Sequence, residues 1–127
     1  MSLTKVETAK APAAIGPYSQ AIKAGNFLYC SGQVPLIPAT GELAAGGIEN
    51  QTKQSLDNLQ QVLNEAGVDF NSVVKTTIYL TDLGDFAVVN EIYAGYCGEV
   101  APARATVQVA ALPKGAMVEI DAIAYLG

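Results

Sequence analysis

The sequence predicts an α+β fold, a six-stranded, mostly antiparallel sheet with two helices on one face, and three observations carry that expectation. Short runs rich in β-branched and aromatic residues, separated by Gly and Pro, recur along the 127 residues. Two intervening stretches space their apolar residues by three and four, as amphipathic helices do. The strand stretches VVKTTIYL, ATVQVAA and AIAYL carry apolar or small residues on both sides, so a face that two helices leave uncovered is oily.

In chain order, residues 3–7 form a short leading strand, followed by APAAIGPY, where Pro12, Gly16 and Pro17 enforce an irregular, ordered loop ending at Tyr18. Residues 19–24 read as a strand, Gly25-Asn26 as a turn and residues 27–31 as its hairpin partner. Gly32 then permits close approach of a ligand or another backbone. Residues 34–47 are punctuated by Pro35, Pro38, Gly41, Gly46 and Gly47 and read as a long loop.

Residues 49–66 place Leu56, Leu59, Leu63 and Ala66 on one helical stripe, with Gly67 as a stop signal. VVKTTIYL, residues 73–80, is a central strand. Asp82 or Asp85 offers an N-cap to a second helix, which turns Phe86, Val89, Tyr93 and Tyr96 inward and ends near Gly98. Residues 105–110 alternate as a strand, so Arg104, Thr106 and Gln108 share one face while Ala105, Val107 and Val109 share the other. Residues 117–126 are the last strand, with Glu119 and Asp121 among apolar neighbours. The short loop AALPKG between these two strands favours their antiparallel pairing.

The length suits one domain spanning residues 1–127. Half of the residues, 50%, are hydrophobic and 15% charged, a load that together with the oily sheet face predicts a closed homo-oligomer. A net charge of −5 gives no electrostatic reason to approach phosphate backbones or anionic lipid, so neither nucleic acid nor membrane is an expected partner. Cys30 and Cys97 follow neither a CxxC nor a zinc-ligand pattern and read as reduced, buried thiols. The first residues lack a long apolar run, which makes the cytoplasm, or an organelle matrix reached by another route, the expected compartment.

Histidine is absent, and with it Ser-His-Asp catalysis, Cys-His catalysis and every histidine-bearing zinc site. No metal centre is expected. Ser72 and Lys75 have the SxxK spacing of penicillin-recognising enzymes, but Lys75 falls in a strand and the SDN and KTG partners are missing. Arg104 is the only arginine beside six lysines, lodged next to Pro102 in an apolar strand. Its planar fork suits bidentate grip of a small carboxylate, or else an ion pair with an acid such as Glu119. Glu119 has its own alternative role, a carboxylate that orients or deprotonates a water beside a substrate. Tyr18, Ser31 and Asn90 read from the residues alone as loop, strand-end and helix-face positions.

Together, APAAIGPYSQAI, SGQVP, ATGEL, QSLDNLQQVL, VVKTTIYLTDL, FAVVNEIY and PARATVQVAALPKGAMVEIDAIA give the chain a full-length resemblance to the Rid (YjgF-like) family, specifically its RidA branch of reactive intermediate deaminases. The resemblance implies a chorismate-mutase-like fold assembled as a homotrimer, its sheets forming a central barrel with pockets between subunits. It implies hydrolysis of 2-imino acids, tautomers of the 2-aminoacrylate and 2-aminocrotonate enamines, to 2-keto acids and ammonia, without a cofactor. Residue by residue, it implies that Arg104 clamps the substrate carboxylate and Glu119 holds the attacking water. Tyr18, Ser31, Gly32 and Asn90 then line or support the pocket. The resemblance also places a residue two positions after Arg104 in the site; several bacterial relatives have cysteine there, whereas this chain has Thr106, whose backbone carbonyl can still orient water. A ribonuclease or translation inhibitor, and a non-catalytic trimeric ligand-binding or holdase protein, are the competing readings.

Overall fold

The computed structural model describes residues 2–127. Strands β1 (Thr4–Val6), β2 (Ala21–Ala24) and β3 (Phe27–Gln33) precede helix α1 (Gly47–Glu65). Strand β4 (Val73–Leu80), helix α2 (Phe86–Tyr96), strand β5 (Ala103–Gln108) and strand β6 (Val118–Tyr125) follow. The strands form one six-stranded sheet in the order β1-β2-β3-β6-β4-β5, antiparallel except for the parallel pair β4 and β5.

That order overturns one expectation. The last two strands do not pair: β4 lies between them, bonded to β5 on one side and to β6 on the other. The cause is the α2 crossover, which returns the chain alongside β4 in the same direction, as a helical connection between parallel strands does. β5 is consequently an edge strand, and β6 fills the gap between β3 and β4.

Alternation along β6 separates the two faces of the sheet. Val118, Ile120, Ala122 and Ala124 are buried beneath the helices, while Glu119, Asp121 and Ile123 point to the other side and are half-exposed. The α1 stripe of Leu56, Leu59, Val62 and Leu63 packs with Leu28, Ile78 and Leu80 of the sheet in the same core. Each such fully buried side chain contributes roughly 1.5–3 kcal/mol relative to exposure. Among the described residues no helix covers the opposite face, and Tyr29 and Tyr125 stay 49% and 47% exposed on it, with Phe27 against Tyr125 at a ring separation of 5.5 Å.

Local details differ from the sequence expectations for identifiable reasons. Asp82 caps a 3₁₀ turn at Leu83–Asp85, accepting from the Gly84 N–H at 2.8 Å, and Asp85 stands at the α2 N-cap without a side-chain bond. Of the four residues expected on the inward face of α2, Val89 and Tyr93 are buried, whereas Tyr96 is half-buried and Phe86 is exposed. The long loop is pinned rather than loose: buried Asn58 donates to the carbonyls of Val34 and Leu36 at 3.2 and 2.9 Å, and Leu36 bridges to Leu43.

Candidate active site

The sequence-predicted residues fall into two groups, one at each surface of the sheet. The first is built on the free face around a β-bulge. Between Cys30 and Gln33, β3 advances three residues while β6 advances two, from Ala122 to Ile120, so Ser31 and Gly32 are pushed out of register. Ser31 Oγ donates to the Ser19 carbonyl at 2.6 Å, tying the bulge to the loop that carries Tyr18. That loop is held from inside by Gln20, whose amide accepts from the Thr8 N–H and donates to the carbonyls of Thr8 and Pro12. Tyr18 is left 55% exposed at its tip.

Glu119 lies directly over Gly32. A Cβ added there would sit 2.8 Å from Glu119 Cδ and 3.0 Å from Cγ, so the absence of a side chain makes room for the carboxylate. Burial, and secondarily the charge of Asp121, push the Glu119 carboxyl above its ordinary value. Asp121 is itself engaged, accepting from the Thr77 N–H at 3.0 Å and the Tyr79 hydroxyl at 3.1 Å.

The second group lies on the helix side of the sheet, at the β5 edge. Arg104 Nη1 donates to Asn90 Oδ1 at 2.7 Å, and its Cζ sits 5.4 Å from the Phe86 ring centroid and 5.2 Å from that of Tyr93. Its polar partner is therefore a neutral amide, not Glu119, and the ion-pair alternative is not realised within the chain. Beside it opens a cavity of about 510 Å³, walled by Arg104, Asn90, Tyr93, Ala94, Cys97 and Pro102 among others.

Thr106 faces the same side as Arg104, and its hydroxyl oxygen is buried without a hydrogen-bond partner. Its backbone is differently placed. Val109 N–H donates to Leu80 of β4, so by alternation the N–H and C=O of Arg104 and Thr106 turn to the open edge of β5.

Within one chain the two groups do not meet. Arg104 pairs with Thr76 and Glu119 with Tyr79, two strands and three residues apart, which is about 10 Å across the strands and about 10 Å along them. Their side chains also leave opposite faces of the sheet. Tyr18, Ser31, Gly32 and Glu119 make up one group; Arg104, Asn90 and the Thr106 backbone make up the other.

Sequence reasoning assigned Phe86 and Tyr93 to the core and missed their place against Arg104. The available signal was their helical spacing with Asn90, at i, i+4 and i+7, which puts all three on one face of α2. Cys97, read as a plain buried thiol, lines the cavity; Cys30 is buried, and burial with the nearby Asp121 charge pushes its thiol up to about 12. Among the described residues no group of acids and cysteines has metal-site geometry, and no helix is long and apolar enough to cross a membrane.

Comparison with known proteins adds an independent line. The profile of the Endoribonuclease L-PSP family covers residues 8–126. A mouse protein named 2-iminobutanoate/2-iminopropanoate deaminase is 56% identical over 122 residues, 96% of this chain and 90% of its own. The crystal structure of RidA from the Antarctic bacterium Psychrobacter superposes with a TM-score of 0.92 at 50% identity, covering 96% of this chain and 98% of the other. Escherichia coli TdcF with bound serine superposes at 0.90 with 40% identity, covering 96% and 98%. The architecture described above and these likenesses agree: the chain belongs to the Endoribonuclease L-PSP family, that is, the YjgF/Rid family its motifs resemble.

Proposed function

We propose that this protein hydrolyses small 2-imino acids to 2-keto acids and ammonia, at a site completed by a second copy of the chain. One observation carries this reading. The Arg104–Asn90 group, beside its cavity, and the Glu119–Gly32 group are both formed, yet they occupy opposite faces of one protomer. A neighbouring protomer that docks its β5 edge near the Gly32 bulge brings an Arg104 to a Glu119. The exposed apolar sheet face supplies a reason for such packing, and a homotrimer with a central barrel is the assembly we infer. The names of the mouse, human and Arabidopsis relatives support the deaminase activity, and the serine held by TdcF is a ligand with the carboxylate this reading requires.

In this mechanism Arg104 holds the substrate carboxylate and so fixes the imine carbon relative to water. Glu119 accepts a proton from that water as it attacks, and its raised basicity suits the task. The carbonyl of Thr106, on the open strand edge, orients the same water. With water added to the protonated imine, Glu119 passes the proton it took to the carbinolamine nitrogen, the C–N bond breaks to release ammonia, and the hydroxyl proton moves to Glu119 as C=O forms and is then lost to solvent. The C=N bond is replaced by C=O with one water consumed, and no cofactor enters. Tyr18, Ser31 and Gly32 line the pocket and Asn90 supports the guanidinium. A cytoplasmic setting is part of this reading.

The family's descriptive name raises ribonuclease activity as a second reading. A chain with net charge −5, one arginine and no histidine offers little to a phosphate backbone, and we do not favour it. The test generates 2-iminopropanoate in situ with an amino-acid oxidase and follows its loss. Arg104→Ala is expected to abolish the acceleration, and a rate equal to wild type contradicts the assignment.

A further inference from the structure

We propose that Phe86 and Tyr93 are positioning residues for Arg104, a pair of rings that orients the guanidinium so that its unused N–H groups face the cavity. The inference rests on the reading of Arg104 as the carboxylate anchor and adds how that anchor is aimed. An arginine on an edge strand has a long, rotamer-rich side chain and would sample many directions if left free. Here Cζ lies within 5.4 Å of one ring centroid and 5.2 Å of the other.

The chemistry of the partners matters as much as their proximity. A carboxylate would occupy the fork and neutralise its charge, whereas an aromatic ring attracts the cation through its π-system and consumes no N–H donor. Of the five N–H donors of a guanidinium, the structure commits one, to Asn90. The rest stay available for a bidentate grip.

The two rings have different mounts. Tyr93 is 5% exposed, and its hydroxyl shares a 2.7 Å hydrogen bond with Thr76 Oγ1, which is fully buried in β4. It is a fixed wall. Phe86 is 39% exposed at the start of α2 and acts as a cover. With Asn90 between them in sequence, one helix face supplies wall, cover and hydrogen-bond acceptor to the strand that its own crossover sets opposite.

The test measures kcat and KM for 2-iminopropanoate, and the dissociation constant of 2-oxobutanoate, in Phe86→Ala, Tyr93→Leu, Tyr93→Phe and Arg104→Ala. Phe86→Ala is expected to unfold near the wild-type temperature, because the side chain is already partly exposed, and to raise KM about tenfold with a smaller fall in kcat. Tyr93→Leu should do the same more strongly, and Tyr93→Phe less, since the ring remains. If Tyr93→Leu does not fold, Phe86→Ala decides. An unchanged KM in Phe86→Ala, or a Tyr93→Phe loss as large as that of Tyr93→Leu, overturns the clamp. Wild-type KM in Arg104→Ala instead overturns the anchor itself, so the two failures are distinct.

Discussion

Substituting Gly32 by alanine separates the catalytic role proposed for Glu119 from the stability of the fold. The backbone at Gly32 is outside the left-handed region, so alanine is tolerated conformationally. What it cannot avoid is Glu119, whose Cδ would lie 2.8 Å from the new methyl carbon. Carbon atoms prefer roughly 3.5–4.0 Å, so the carboxyl group must retreat by about 1 Å. The effect on the fold is modest: crowding of a half-buried site costs about 1 kcal/mol, and the loss of glycine entropy in the unfolded chain offsets about 0.4–1 kcal/mol of it. The effect on catalysis is large, because a 1 Å misplacement of a reacting group costs on the order of 100-fold in rate. The assay is steady-state loss of 2-iminopropanoate, beside a thermal melt. The expected result is kcat down about 100-fold at a melting temperature within a few degrees of wild type, with no further loss when Gly32→Ala is placed on Glu119→Gln. Wild-type kcat in Gly32→Ala refutes the placement of Glu119 at the reacting water.

Further outcomes follow from the same geometry. In the proposed mechanism Glu119 acts as a base when ionised, and burial, with the Asp121 charge, holds its pKa above the ordinary carboxylate value. Activity is therefore expected to fall as pH drops through that raised pKa, and Asp121→Asn, which removes a like charge, should move the acid limb of the kcat profile to lower pH; a shift to higher pH contradicts the electrostatics. The Cys30 thiol, buried and held at about 12, should resist iodoacetamide at neutral pH until the protein unfolds, as mass spectrometry of labelled peptides would show. Labelling of native protein at Cys30 ahead of Cys97 contradicts that burial.

The legible parts of the sequence were those in which periodicity alone decides the outcome. The three-and-four spacing of Leu56, Leu59 and Leu63 identified the buried face of α1, and the alternation of residues 105–110 put Arg104 and Thr106 on one side of β5. The partner of β5 was not legible, because a short loop permits a hairpin but does not compel one, and the α2 crossover claimed β5 for β4. That decision also fixed the site. Alternation put Arg104 and Glu119 each on a definite side of its strand, but without the register and order of the sheet it could not say that these sides oppose each other. The aromatic residues against Arg104 stayed hidden for another reason: Tyr93 is both a core residue and a wall of the cavity, and apolar spacing reports only the first.

The division of the site between protomers is tested most directly by mixing two inactive variants, Arg104→Ala and Glu119→Gln, with refolding together at equal amounts. In the proposed assembly each site takes Arg104 from one copy and Glu119 from another, so random assembly makes both intact at about one site in four. The expected recovery is about a quarter of wild-type activity, from two preparations that separately have almost none. Co-assembled variants that remain inactive would place both residues in a site formed by a single chain, or place neither in it, and would contradict the shared site.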